Sequence, residues 1–266
     1  MSPKLATAAT VVGITVVGAY SVHAYLNRTA FAETDEPPMV FNGSIGFTSL
    51  SLHSVKAVNH ETKRLVFELP DRNARSGLTL TYKPGFIELL VKKYPKGKAS
   101  THLHSLEPGQ NLWFAGSLKG YAWSPNKHSH IYLLAGGAGI TPVYQLIQGA
   151  LENADDRTKM TLVFGARSEE DLVLRDELEG FKSRFPSRFD VVYTVNSRPK
   201  NSAGSTLQQG RITESLLRQV MKGPEEKNVK VLVCGPPAME SALLGSNREK
   251  GILGQLGYTK DQIYKF

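Results

Sequence analysis

The hydrophobic positions from Phe47 to about Trp113 come in short runs of alternating or β-branched character. The stretches SLHSVKAV, RLVFEL, GFIELLVKKY and NLWFAG each predict a strand, and turn-like stretches such as NHETK and EPGQ separate them. Short strands at this spacing predict a small antiparallel β-barrel. One helix is expected around ASTHLHSL, with Ser100 or Thr101 as its N-cap.

The pattern changes after His128, where continuous apolar runs alternate with helical segments. HIYLLA, MTLVFG, FDVVYTV and VKVLVCG predict four buried strands, while VYQLIQGAL, SEEDLVLRDELEGFKSRF, ITESLLRQVM and PPAMESALL predict helices. Because such alternation is typical of a parallel sheet covered on both faces, the fold class is α/β plus β. The boundary between the two parts is expected between Ser124 and His128.

The N-terminus has a different pattern. Leu5 to Leu26 are 22 residues without Lys, Arg, Asp or Glu, which is long enough for a membrane-spanning helix. A cleaved signal peptide is the alternative, because AFA at 30–32 offers a cleavage site, but the apolar stretch is longer than a usual signal core. The predicted organisation is an anchor at 1–30, a linker at 31–46, the barrel at 47–124 and the α/β domain at 125–266.

The overall charge narrows the choice of partners. The formal net charge is +8 and the pI is near 9.4, which suits a phosphate-bearing cofactor, an acidic protein or an anionic membrane. Nucleic acid is not expected, because no basic run is interleaved with aromatic residues. Cys234 is the single cysteine of the chain, so an internal disulfide is excluded.

Two loops carry the candidate chemistry. In LLAGGAGITPVYQLI a strand, a glycine loop and a helix follow one another, with Thr141 expected as N-cap and Pro142 as first helical residue. The free N–H groups of such a helix end favour an anion such as a diphosphate. In VLVCGPPAM a second strand ends in a loop with few side chains, and ligands of open α/β sheets bind beyond such strand ends.

These motifs, with FGARSEEDLVLRDEL, YTVN and the segment GFIELLVKKYPKGKASTHLHSLEPG, resemble the ferredoxin-reductase-type flavoenzymes and, among them, the NADH-cytochrome b5 reductases. The resemblance covers about Phe47 to Phe266, and the anchored N-terminus is most similar to the fungal mitochondrial form. It implies that an antiparallel β-barrel binds FAD and that the parallel-sheet domain binds NADH. The implied reaction is hydride transfer from NADH to FAD, followed by single-electron transfer to cytochrome b5 or a similar haem protein.

The resemblance also implies the roles of individual residues. Thr141 and Cys234 are expected to position flavin and nicotinamide for catalysis. FAD is expected at Lys92, Tyr94, Gly97, Lys98, Ser100 and Thr141. NADH is expected at Gly136, Gly137, Gly139, Ile140, Pro142, Asn196, Cys234, Gly235, Pro236, Pro237 and Met239. Lys96, Lys98 and Lys127 are candidate contacts for the haem protein, with scattered solubilising charge as the alternative. The chain is expected to be a monomer in the mitochondrial outer membrane, with a single N-terminal anchor, or a processed form in the intermembrane space.

Two departures from the family pattern bear on function. Asn196 stands where many members carry an acid that favours NADH, so preference for NADH over NADPH is expected to be weaker. The R-x-Y-[TS] flavin motif occurs nowhere in the chain. The join LTYKPG is a poor hairpin and marks a missing segment of roughly 30 residues near 81–84, a few strands with their connections. The alternative function is therefore a flavin-deficient, inactive splice or gene-model variant; a soluble flavin reductase is disfavoured by the anchor.

Two histidine pairs raise the question of a metal site. His102/His104 and His128/His130 would each share a face if they lay on strands. Because no carboxylate or cysteine completes either set at the usual spacing, no metal is expected.

Overall fold

The computed structural model describes residues 37–41, 46–77, 84–115, 120–197, 207–226, 228–246 and 248–266. Both sheets belong to one compact unit, Met39–Phe266. The predicted anchor, most of the linker and the join at 81–83 lie outside the described residues. Among the residues described, no helix combines the length and the apolarity needed to cross a membrane.

The first sheet is antiparallel and has four strands, in the order β3-β2-β1-β4. It forms a half-barrel, which agrees with the prediction of an antiparallel barrel that lacks strands. Strands β2 and β3 pair without interruption from Thr62↔Lys92 to Glu68↔Phe86. The bounds are β1 Thr48–Ala57, β2 Thr62–Glu68, β3 Phe86–Lys92 and β4 Asn111–Phe114, with helix α1, Lys98–Ser105, between β3 and β4.

Helix α1 begins three or four residues earlier than predicted. Gly97 is its N-cap and Lys98 its first residue, so the prediction of Ser100 or Thr101 as N-cap is wrong. The Ser100 hydroxyl instead closes the preceding turn: it accepts from the Tyr94 N–H (3.2 Å) and donates to the Gly97 carbonyl (3.2 Å). The helix therefore begins directly after this turn, and the Ser100 side chain stabilises the turn instead of capping the helix.

The second sheet is parallel, with six strands in the order β10-β9-β5-β6-β7-β8. Its strands are β5 His130–Gly136, β6 Lys159–Ala166, β7 Phe189–Val195, β8 Leu207–Gln209, β9 Val229–Cys234 and β10 Ile263–Lys265. Its helices are α2 Ile140–Glu152, α3 Arg175–Arg184, α4 Glu214–Val220, α5 Pro237–Leu244 and α6 Ile252–Gln255. The predicted antiparallel and parallel parts are thus both confirmed.

Both faces of the parallel sheet are buried, as its continuous apolar strands require. One face packs against α2 and α3 through residues such as Ile131, Val143 and Phe181, and the other packs against α4 and α5 through Tyr132, Leu217 and Leu243. The half-barrel has its own core, which includes Leu50, Leu65 and Phe67. Since β5 and β9 are parallel neighbours, their carboxyl ends lie at one edge of the sheet, where the candidate site forms.

Candidate functional site

The glycine loop after β5 passes directly into a helix. A 3-10 turn, Gly137–Gly139, is followed by α2 from Ile140, so Thr141 and Pro142 are the second and third helical residues. The prediction of Thr141 as N-cap is wrong, because the 3-10 turn already brings the backbone into helical geometry. The Thr141 hydroxyl donates to the Ala138 carbonyl (3.0 Å) and thereby fixes the loop. Pro142 fits this position because N–H groups of the first turn have no intrahelical acceptor.

The loops after β5 and β9 touch each other. A Cβ on Gly139 would lie 2.2 Å from the carbonyl oxygen of Cys234, and a Cβ on Gly136 would lie 2.5 Å from Sδ of Met239. Gly235 is also confined by Met239. Helix α5 then begins at Pro237, with Pro236 as its N-cap. The structure thus brings the two predicted loops together, and glycine is required for the approach.

A cleft separates these loops from the half-barrel, and we call it the central cleft. Its lining comes from strands of the half-barrel and from the segments that follow β5 and β6 of the parallel sheet, which is the arrangement expected of a site between two domains. Thr141 and Lys92, both predicted as site residues, lie in it. Its lining consists of Thr62, Leu90, Lys92, Gly137, Ala138, Thr141, Asp171 and Val173.

One carboxylate joins the two sides of the central cleft. Glu61, in the β1–β2 turn, accepts from Lys92 Nζ (3.0 Å) and also from the guanidinium of Arg167, which follows β6. The hydrogen bond from Lys92 is the main cause that lowers the pKa of Glu61 below its ordinary 4.5. The Arg167 guanidinium also lies 3.7 Å from Asp171. We call Lys92, Glu61 and Arg167 the Glu61 bridge.

Further contacts support the Glu61 bridge from both sides. Arg64 of β2 forms an ion pair with Glu177 of α3 (2.7 Å), and the Asn59 side chain donates to the Glu170 carbonyl (3.0 Å). The β6–α3 segment and helix α3 therefore provide polar contacts that join the half-barrel to the parallel-sheet domain.

His60, Glu61 and Asp171 bring potential metal-ligand atoms within 4.8 Å of one another. Lys92 and Arg167 already compensate the charge of Glu61. This cluster is accordingly an ion-pair network, and a divalent cation would have to displace both cations.

The predicted flavin loop lies beside α1. The Tyr94 side chain is 52% exposed, and Lys96 adopts a left-handed turn with φ +62°. A Cβ on Gly97 would lie 2.5 Å from Oγ of Ser100. The first turn of α1 carries no side-chain cap, and Lys98 is exposed. An exposed amine beside uncapped N–H groups is chemically suited to an anionic group.

Cys234 ends β9 and is half-buried against the core that covers one face of the parallel sheet. Burial raises the pKa of the Cys234 thiol above its ordinary 9.0, and the nearby Glu240 carboxylate adds to the effect. The thiol is therefore neutral at physiological pH. A neutral thiol can fill space beside a ligand but is a poor nucleophile.

Asn196 lies on the exposed loop after β7, where its backbone N–H donates to the Ala166 carbonyl (3.3 Å). It is thus at the carboxyl edge of the sheet, two strands from the glycine loop. Lys127, by contrast, precedes β5 and lies at the opposite end of that strand from Gly137. It does not belong to the same edge as the other site residues.

The histidine pairs do not have the geometry assumed for a shared ion. His102 and His104 lie two positions apart in helix α1, and such positions do not share a helix face. His104 contacts the Val91 carbonyl (2.8 Å). His128 bonds the Tyr121 hydroxyl (2.6 Å), and His130 bonds the Thr161 hydroxyl (2.9 Å).

Sequence reasoning missed Glu61, Arg167 and Asp171. Glu61 and Arg167 are 106 positions apart, and nothing in their local sequence distinguishes them from solvated charges. The FGARSEEDLVLRDEL motif contains Arg167 and Asp171, but its pattern indicates only a strand end and a helix.

The comparisons with known proteins agree with this arrangement. An oxidoreductase NAD-binding domain model matches residues 133–244, and an oxidoreductase FAD-binding domain model matches residues 76–123. The cytochrome b5 reductase domain of Ulva prolifera nitrate reductase superposes with a TM-score of 0.71. That comparison covers 83% of this chain and 97% of that domain at 23% identity, so it supports the fold.

Curated relatives are much closer in sequence. NADH-cytochrome b5 reductase 2 of Emericella nidulans is 40% identical over 300 positions, covering 100% of this chain and 92% of the relative. The enzyme of the same name from Aspergillus oryzae is 38% identical over 298 positions, covering 99% and 91%. Since this chain has 266 residues, about 34 positions of the first alignment have no counterpart in it. Because this identity of about 40% extends over nearly the whole chain, the chain belongs to the NADH-cytochrome b5 reductase family.

Proposed function

We propose that this chain is an NADH-cytochrome b5 reductase, which takes a hydride from NADH onto FAD and passes single electrons to the haem of cytochrome b5. The observation that carries the proposal is the contact between the loops after β5 and β9, which open onto the central cleft. Dinucleotides bind at this edge of open α/β sheets. The names of the relatives from Emericella nidulans and Aspergillus oryzae support the donor and the acceptor.

The residues at the parallel-sheet edge fit NADH. Gly136, Gly137 and Gly139 leave the backbone accessible, and Gly137 adopts φ +53°, which favours glycine. The N-terminal N–H groups of α2 suit the diphosphate. Pro236 and Pro237 have small side chains, so the second loop does not fill the crevice. The proposal assigns residues 125–266 to NADH, and the NAD-binding model match at 133–244 supports it.

The half-barrel is assigned to FAD, over residues 47–124. The FAD-binding model match at 76–123 supports this, and Gly97, Lys98 and the start of α1 fit the diphosphate. FAD, when bound, converts a two-electron donor into a source of single electrons, a chemistry that the side chains of the cleft cannot supply. Thr141 and Lys92 face the space between the two domains and orient what binds there.

Cytochrome b5 is the proposed acceptor, approached through the half-barrel side. The net charge of +8 supports steering of an acidic haem protein, since long-range attraction raises the rate of encounter. Lys96 and Lys98 are exposed next to the predicted flavin loop. We assign docking to these two and not to Lys127, because Lys127 lies at the far end of β5.

The N-terminus is proposed to anchor the chain in the mitochondrial outer membrane by a single helix at Leu5–Leu26. The 22 uncharged residues and the family membership support this proposal. A processed form released into the intermembrane space is the alternative, and either form is proposed to be a monomer. Fractionation of mitochondria, with carbonate extraction of the membranes, tests the anchor: an integral protein stays in the pellet.

Weakened discrimination against NADPH is part of the proposal. Asn196 carries no charge that would repel a 2′-phosphate, whereas an acid at this kind of position bonds the ribose of NAD. Steady-state rates with both nucleotides test it, and Asn196→Asp is expected to raise the preference for NADH about tenfold or more.

The decisive experiment is reduction of cytochrome b5 by the purified full-length chain, supplied with NADH and excess FAD. Appearance of the reduced haem spectrum, dependent on protein and NADH together, supports the proposal. Binding of NADH without reduction of either cytochrome b5 or ferricyanide at saturating FAD would refute it.

A further inference from the structure

We infer that this chain holds FAD weakly and exchangeably, because it lacks a segment of its flavin-binding barrel. The inference rests on the proposed function and deepens it: FAD behaves as a dissociable partner rather than as a resident cofactor. Four observations support it.

The first observation is chain length. The alignment with the Emericella nidulans reductase exceeds this chain by about 34 positions, and that with the Aspergillus oryzae reductase by a similar number. The match to the FAD-binding model begins only at residue 76, beside the LTYKPG join. A segment of this size holds several strands with their connections.

The second observation is the open sheet. Within residues 46–77 and 84–115, which the structure describes, neither β3 nor β4 has a strand on its outer side. Trp113 of β4 is 69% exposed, and Phe47, just before β1, is 72% exposed. Large aromatic side chains exposed together at a sheet edge indicate a surface that further strands would cover.

The third observation is the lining of the central cleft. Among the described residues, that lining includes no aromatic side chain that could stack on a flavin ring. Lys92 is the one cation among these lining residues, its side chain is 18% exposed, and Glu61 already engages its ammonium. A ring system bound here would therefore make few strong contacts.

The fourth observation concerns the predicted cofactor-binding residues that are still present. Gly97, Lys98 and the uncapped N–H groups of α1 still fit a diphosphate. The contact between Gly139 and Cys234 at the NADH edge does not involve the half-barrel. The chain is thus expected to bind NADH and to contact FAD mainly through the diphosphate.

The test compares this full chain, purified in detergent, with the Emericella nidulans reductase purified identically. Both are loaded with FAD, desalted and assayed for flavin absorbance per protein, and FAD affinity is then measured by flavin fluorescence titration. This chain is expected to lose its flavin on desalting and to bind FAD about a hundredfold more weakly, the effect of losing roughly two charge-assisted contacts. A third protein carries the aligned segment of the relative inserted at Thr81–Lys83 and is expected to recover most of the affinity.

NADH binding, measured by calorimetry, is the folding control and should be within about threefold in all three proteins. Stoichiometric flavin after desalting, or an FAD affinity within about threefold of that of the relative, would overturn the inference. The proposed function is judged separately: reduction of cytochrome b5 at saturating FAD upholds it whatever the affinity. If NADH binds but saturating FAD gives no reduction, the proposed function fails while the titration still decides the inference.

Discussion

Gly139 and Cys234 approach so closely that a Cβ on Gly139 would lie 2.2 Å from the carbonyl oxygen of Cys234. The backbone of Gly139 has φ −63° and ψ −8°, values that any residue can adopt. Glycine is therefore needed for space and not for conformational freedom. The contact joins the loops after β5 and β9, which places both at one edge of the proposed NADH crevice.

Gly139→Ala is expected to force these loops apart, because the obstructing atom belongs to the backbone. We expect NADH affinity to fall about tenfold or more and the free energy of unfolding to fall by about 1–3 kcal/mol. Calorimetric NADH titration and urea denaturation measure the two effects. Gly180→Ala in α3 is the matched control, since a Cβ at Gly180 would meet nothing within 4 Å, and it should stabilise by about 0.5–1 kcal/mol. Unchanged NADH affinity in Gly139→Ala would contradict the steric account.

Glu61→Gln is expected to break the Glu61 bridge. Because the folded-state pKa of Glu61 is lowered from 4.5, its contribution is complete above pH 4.5 and is lost as the pH falls further. At pH 7 the variant should lose up to about 1 kcal/mol of stability, since the bridge is partly exposed, and the loss should shrink in about 0.5 M salt. Glu107→Gln, at an exposed position after α1, is the control for charge alone. Equal effects of both variants on urea denaturation would argue against the bridge.

The thiol of Cys234 is expected to react slowly. Burial and Glu240 raise its pKa above 9.0, so little thiolate is present at pH 8. Alkylation by iodoacetamide should be about tenfold slower than in urea, and the pH midpoint of the rate should lie above 9.0. Because the chain has one cysteine, the unfolded protein provides its own reference. A midpoint below 9.0 in the folded protein would show an activated thiol instead.

Stability is expected to decrease below about pH 6.5 because of buried histidines. Burial is the main cause that lowers the pKa of both His128 and His130 from 6.5, and among the described residues the buried Nδ1 atom of His130 has no hydrogen-bond partner. The unfolded chain then binds more protons than the folded one, so the free energy of unfolding falls as the pH decreases through 6.5. Urea denaturation between about pH 7.5 and 5.5 measures the slope. His130→Gln should reduce the slope, whereas His102→Gln at an exposed position should leave it unchanged.

The long strands could be predicted from the sequence because burial on both faces requires continuous apolar runs. Strands β5, β6, β7 and β9 all follow such runs. Strands β8 and β10 could not be predicted, because three residues are too few to show a period. Their place depends on pairing with β7 and β9, which is a tertiary contact.

In the segment before α3, tertiary packing prevents the helix that the local sequence predicts. The stretch from Ser168 predicts a helix, yet α3 starts only at Arg175, after a 3-10 turn at Glu169–Asp171. Leu174 has φ +62°, and Asp171 is buried at the central cleft. This segment instead carries the contacts to the half-barrel, which no local pattern could indicate.

The two loops of the candidate site could be predicted because a general rule places ligands beyond the carboxyl ends of parallel strands. Their actual contact, through Gly139 and Cys234, follows from β5 and β9 being neighbours in the sheet. The Glu61 bridge could not be predicted, since it depends on how the half-barrel meets the β6–α3 segment. Charge alone identifies neither Glu61 nor Arg167.

The uninterrupted pairing of β2 with β3 has a consequence for the cost of an insert between them. The 17 residues from Leu69 to Gly85 leave and re-enter the sheet at adjacent positions, and the N–H of Leu69 donates to the carbonyl of Gly85. The entropy of closing a loop grows only with the logarithm of its length, so an insert of about 34 residues at this hairpin would change the closure cost by only roughly 1 kcal/mol. A long insert at this hairpin would therefore cost little stability, because the strands on either side of it keep their pairing.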